Sequence, residues 1–100
     1  MLVIPLQAVP AQTVRTTLAQ QSVTIVVRQI SAGVLVDLVS GGASVITGKL
    51  ARDRLRLVRR PYLGFTGDLA FVDTQGTSDP DHSGLGDRWL LVYLEAGVDL

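Results

Sequence analysis

One hundred residues, 47% of them apolar and 18% charged, suit one small globular domain and exclude a disordered tail. The formal net charge is zero, which argues against a surface built wholly for nucleic acid or for an anionic membrane. With no cysteine, disulfides and thiolate metal sites are excluded.

The chain opens with MLVIPLQAVPAQ, an apolar stretch without a basic n-region and with Pro5 inside it. It reads as the start of an unexported chain rather than a signal peptide. No apolar run approaches the ~20 residues that span a bilayer as a helix, so a membrane is not among the expected partners. Leu2, Ile4 and Leu6 alternate along an extended segment, and Pro5 between them suggests an edge strand or a strand start.

From residue 13 to 50 the dominant period is two. Val14, Thr16 and Leu18 oppose Thr13, Arg15 and Thr17; Val23, Ile25 and Val27 oppose Thr24, Val26 and Arg28; Val34, Val36 and Leu38 oppose Leu35, Asp37 and Val39. Short turn signals separate these runs: AQQS at 19–22, SAG at 31–33 and SGGAS at 40–44, where Gly41-Gly42 supplies the positive φ that a two-residue hairpin loop demands. With SVITGKL at 44–50 as the last member, the pattern predicts a meander of four strands.

The segment RDRLRLVRR at 52–60 fits a strand or a short helix, and the alternation of Arg54 and Arg56 with Leu55 and Leu57 favours a strand. Two glycines in YLGFTGDLAFVD mark a turn or bulge before a strand at 69–73. RWLLVYL is apolar on both faces, as expected of a strand that is central or covered on both sides. The predicted fold is all-β, one domain over residues 1–100, a small antiparallel barrel or sandwich of about seven strands.

Between the last two strands lies DTQGTSDPDHSGLGD, residues 73–87, which holds the only histidine. DPDHSG resembles the opening of a calcium loop, but the position that needs a bidentate glutamate is Leu90 and the flanks are strands. A looser oxygen-ligand site would draw on Asp73, Asp79, Asp81 and Asp87, with Asp79 and Asp81 the metal candidates. The same aspartates and glycines satisfy turn chemistry, and that reading is preferred, with no metal or other cofactor expected. Asp81, His82 and Ser83 are the ingredients of a nucleophilic triad, yet adjacent residues do not converge on one another and no Gly-x-Ser-x-Gly elbow is present. No catalytic residue is assigned, and an enzyme is not expected.

Charge is distributed unevenly. Six of the nine Lys and Arg residues fall at Lys49, Arg52, Arg54, Arg56, Arg59 and Arg60, and seven of the nine acids lie after residue 67. The basic stripe lacks interleaved aromatics, so nucleic acid ranks behind two other readings: internal pairing with the acidic half, or a contact with a neighbouring subunit. The interface candidates are Arg52, Arg54, Arg56, Arg59, Arg60, Asp73, Asp79, Asp81, His82 and Asp87. Trp89 and Tyr93 share one face of the last strand, where a carbohydrate platform is conceivable but core packing is preferred.

The stretches MLVIPLQAVPAQTVRTTLAQQSVTI and LARDRLRLVRRPYLGFTGDLAFVDTQGTSDPDHSGLGDRWLLVYLE together resemble the phage baseplate plug family. The most specific part is GDLAFVDTQG, then DP, then GLGDRWLLVYL: Gly67–Gly76, Asp79–Pro80 and Gly84–Leu94. The resemblance implies a small all-β virion protein at the centre of a contractile-tail baseplate, made in the host bacterial cytoplasm. Its implied partners are the hub–spike protein, the tube-initiating protein and other copies of itself. It carries over no catalytic residue. The matching Gly67, Asp68, Asp73, Gly76, Asp79, Pro80, Gly84, Gly86 and Asp87 are implied to shape loops. The alternative is a stand-alone β-barrel module binding carbohydrate or nucleic acid.

Overall fold

A computed structural model describes residues 2–59 and 65–95. Seven strands follow in chain order: β1 Leu2–Ile4, β2 Ala11–Leu18, β3 Gln21–Ile30, β4 Gly33–Ser40, β5 Ala43–Leu50, β6 Asp68–Asp73 and β7 Trp89–Leu94. They form two antiparallel sheets, one ordered β2-β3-β4-β5 and the other β1-β7-β6. Both sheets are open, so the molecule is a sandwich and not a closed barrel.

The four-stranded sheet is the predicted meander, and its hairpins differ in chemistry. Gly41 and Gly42 have φ +58° and +83°, as a two-residue turn between Ser40 and Ala43 requires. The β2–β3 turn takes the same left-handed path with Ala19 (φ +48°) and Gln20 (φ +64°), residues that gain nothing from it. In β5 the register against β4 slips twice, around Leu38. There Gly48 takes φ +62° and its N–H turns to the Asp37 carboxylate (2.5 Å).

Alternation places Val23, Ile25, Val27, Val34, Val36 and Leu38 in the core from one sheet, and Ile4, Leu69, Phe71, Leu91 and Tyr93 from the other. β7 is the central strand of its sheet, in keeping with its two apolar faces. Its second face, with Val92 and Leu94, forms a small separate cluster with Ala70. β1 is shorter than the Leu2, Ile4, Leu6 alternation suggests: Ile4 is buried, whereas Leu2 is 50% exposed.

The expected strand at 52–60 does not form among the described residues. Asp53 makes a single bridge to Phe71, then Arg54 (φ +57°) and Arg59 (φ +69°) turn the chain out of the extended region. Among the described residues only two backbone bonds join the segment to β6, Arg54 N–H to Phe71 O and Leu57 N–H to Leu69 O, and side-chain carboxylates supply the others. Asp68 accepts from Val58 N–H (2.8 Å), Arg59 N–H (2.8 Å) and its neighbour Leu69 N–H (2.7 Å), and Asp53 accepts from Asp73 N–H (2.8 Å). The segment still contributes Leu57 and Val58 to the core, which explains its apolar alternation without a strand.

Candidate functional site

The 73–87 loop and the 52–59 segment meet, and the acids and bases that composition set apart are joined there. Asp73 is the centre. Its side chain is fully buried and accepts two parallel bonds from Arg88, Nε to Oδ1 and Nη2 to Oδ2, both 2.9 Å. Gln75 N–H (2.9 Å) and Ser78 N–H (2.8 Å) complete its shell. The bidentate Arg88 bond, helped by those two backbone donors and opposed by burial, holds the Asp73 carboxyl far below the usual carboxylate range. Arg88 also lies over the Trp89 ring, 4.5 Å from its centroid.

Around this centre the basic segment is fastened to the loop. Arg54 reaches Asp53 (2.6 Å), the Gly76 carbonyl (3.3 Å) and the Asp73 carbonyl (3.3 Å). Asp79 accepts from the Asp53 N–H (3.0 Å) and from Arg52 Nη1 (3.1 Å). Trp89 donates its indole N–H to Ser78 O (3.0 Å), and Pro80 is buried. The far end of the loop rests on β3, where Gln29 Oε1 receives the His82 N–H (2.9 Å) and lies 3.3 Å from its Nδ1. The loop is thereby anchored at three places within its own chain.

A one-turn 3₁₀ helix, His82–Gly84, is capped by Asp81, which accepts from Ser83 N–H (3.1 Å) and Ser83 Oγ (2.5 Å). Those two Ser83 bonds lower the Asp81 carboxyl below its ordinary value. Ser83 thus donates to Asp81 and not to His82, whose ring faces Gln29; the three adjacent residues form a cap and not a nucleophile–base pair. Asp79 and Asp81 are engaged with separate partners, and among the described residues no three His, Asp or Glu side chains converge as a metal site.

The loop-shaping glycines divide. A Cβ at Gly86 (φ +81°) would lie 2.1 Å from Leu6 O, one at Gly84 2.5 Å from the Trp89 ring, and one at Gly67 (φ +98°) 2.5 Å from Leu94 O. Gly76 has no such constraint, since its Cβ would meet only Asp73 Oδ2 at 3.5 Å and Arg88 Nη2 at 3.7 Å.

Of the interface candidates, Asp73 is inside the protein. Arg52, Arg54, Arg59 and Asp87 are exposed, Asp79 is exposed beside Arg52, and Arg56, Asp81 and His82 are half-buried. Arg60 lies outside the described residues, as does Tyr62. Trp89 and Tyr93 are buried, so neither offers a sugar platform. Arg88 and Asp53 were not among the sequence candidates. Arg88 carries a signal in retrospect: it is the only Lys or Arg after residue 60, set among acids and next to the only tryptophan.

Over residues 1–96 the chain matches the family of the cyanophage baseplate Pam3 plug gp18. It belongs to this baseplate plug family. The match spans both sheets and the whole 73–88 loop. No curated protein matches the chain.

Proposed function

We propose that this baseplate plug family member is a structural subunit of a phage tail baseplate. It would sit at the centre of a contractile-tail baseplate, packed with the hub–spike and tube-initiating proteins and with further copies of itself. It would be made in the bacterial host cytoplasm and carry out no reaction. The observation that carries this reading is the family match across residues 1–96. The site is consistent with it. Its carboxylates and guanidinium groups hold loops in place, and a rigid loop surface is what a packing part has to present. The exposed charges Arg52, Arg54, Arg59, Asp79 and Asp87, with the half-buried Asp81 and His82, are the contact candidates.

The test uses Arg52→Glu. Arg52 and Asp79 are 57% and 52% exposed, so their pair contributes about 1 kcal/mol or less to folding. The variant is expected to melt close to wild type and to be incorporated into tail particles poorly in competition with it. Equal incorporation would remove Arg52 from the contact. Particles that lack the wild-type chain, together with salt-dependent retention of the isolated protein on polynucleotide, would favour the binding-module alternative.

A further inference from the structure

Each open sheet has two edges, and the protein treats them differently. The β6 edge is covered by residues 53–57, through the Asp53–Phe71 bridge and the bonds from Arg54 N–H to Phe71 O (2.7 Å) and from Leu57 N–H to Leu69 O (2.8 Å). β1 is only three residues long and Pro5 follows it directly. β5 is disrupted by its two register slips and by Gly48. Short strands, prolines and bulges are the devices that keep edges from pairing with other chains.

Within its own length β2 has none of these three, and its only guards are Pro10 just before it and the single charge of Arg15. It runs eight residues in unbroken register with β3, from Ala11↔Arg28 to Leu18↔Gln21, with no proline or glycine inside. The bond from Gln29 N–H to Pro10 O (2.7 Å) sets the parity of the ladder, so even-numbered residues turn their backbone groups toward β3. Ala11, Thr13, Arg15 and Thr17 therefore present N–H and C=O outward, and these same four residues are exposed.

Two further features describe what would fit. On the inner face Gln12, Val14 and Thr16 are only half-covered, whereas Val23, Ile25 and Val27 beside them on β3 are buried, so the apolar layer stops short at β2. On the outer face Arg15 is exposed and has no ion pair or hydrogen bond among the described residues.

We propose that the β2 edge accepts an extended strand from a different protein, with an Asp or Glu opposite Arg15 and an apolar side chain opposite Val14. Main-chain bonds to Ala11, Thr13, Arg15 and Thr17 hold the strand, and the acid-out, apolar-in alternation selects it. Charge decides against a second copy. β2 holds no acid, and antiparallel pairing of two β2 edges must match odd residues with odd, which sets the two copies of Arg15 at diagonal positions (Ala11 opposite Thr17) or directly opposite (Thr13 opposite Thr17). The inference rests on the reading of the chain as an assembly subunit, and it adds the surface and the chemistry of the partner.

Thr13→Pro removes one outward N–H that β3 does not use, and Arg15→Glu reverses the charge while leaving the backbone intact. Each full-length variant is competed with wild type for incorporation into tail particles, with a thermal melt of the free protein as the folding control. Both are expected to fold and to be incorporated about tenfold less than wild type or worse, with Arg15→Lys incorporated normally. The Thr13, Arg15 and Thr17 amides are expected to exchange quickly in the free protein and slowly in particles. That readout holds even if Thr13→Pro does not fold. Equal incorporation of Arg15→Glu and fast exchange in particles would overturn the proposal while leaving the subunit role intact. Failure of wild type to enter particles would instead overturn the role. A free protein that dimerises, and loses the dimer in Thr13→Pro, would replace the foreign strand with a second copy.

Discussion

The Asp73–Arg88 pair converts a polar loop into a fixed part of the molecule. A fully buried carboxylate with a bidentate guanidinium and two backbone donors has every lone pair directed at a donor. The sign of its pH dependence follows from the direction of its shift. The folded carboxyl titrates far below its unfolded value, so between the two the unfolded chain binds more protons and stability rises with pH. The contribution is complete above the ordinary carboxylate range and is lost as the pH falls below about 4 toward the folded value. Asp81 is shifted the same way. In Asp73→Asn, urea midpoints measured across acid pH are expected to be lower at every pH and to depend on it less steeply, with Asp81 contributing to the slope that remains. An unchanged slope would mean that Asp73 is not ionised against Arg88.

Glycine positions in the same loop give a second test at residue scale. Gly86→Ala forces a Cβ into the Leu6 carbonyl at a left-handed φ and is expected to destabilise by about 2–4 kcal/mol. Gly76→Ala meets only ordinary contacts and is expected to change stability by less than about 0.5 kcal/mol. Denaturant melts of the two variants side by side check the contrast.

At the scale of elements, the meander shows how turn chemistry and strand pattern cooperate. The β4–β5 hairpin has the glycine pair that its turn demands, whereas the β2–β3 hairpin forces Ala19 and Gln20 into the same left-handed conformation. Register is nevertheless unbroken along β2–β3, because a slip of one residue would turn Val23, Ile25 and Val27 away from the core. The Gln21 amide, bonded to the Thr66 carbonyl (3.1 Å) and N–H (2.5 Å), also ties the hairpin to the residues just before β6. Replacing Ala19-Gln20 by Asn-Gly is expected to stabilise the protein by about 1 kcal/mol through relief of this strain. A higher urea midpoint at unchanged slope would show it.

For the molecule as a whole, two open sheets share one core, and Phe71 is among the largest side chains with no exposure. It lies on β6, between the covered edge formed by the 53–57 segment and central β7. Phe71→Ala is expected to cost about 3–5 kcal/mol, a large share of a small domain's total stability. Calorimetry or denaturant unfolding measures this directly, and a cost near 1 kcal/mol would indicate a core that collapses around the gap.

The local pattern by itself determined the all-β class, the four-strand meander with its Gly41-Gly42 turn, the two apolar faces of β7 and the family resemblance. Each of these is written in period-two alternation, in turn residues or in contiguous motif. What the tertiary structure decided depends on groups far apart in sequence. Residues 52–59 alternate like a strand, but the Asp53 and Asp68 carboxylates take part in the backbone bonding there and Arg54 and Arg59 leave the extended region. Asp73 looks like one more loop acid until Arg88, fifteen residues on, is seen to enclose it. Whether two sheets close into a barrel, which glycine has no room for a Cβ and which edge no other described residue covers are likewise matters of what lies across the fold. Alternation fixes which way a side chain points, and only packing fixes what it meets.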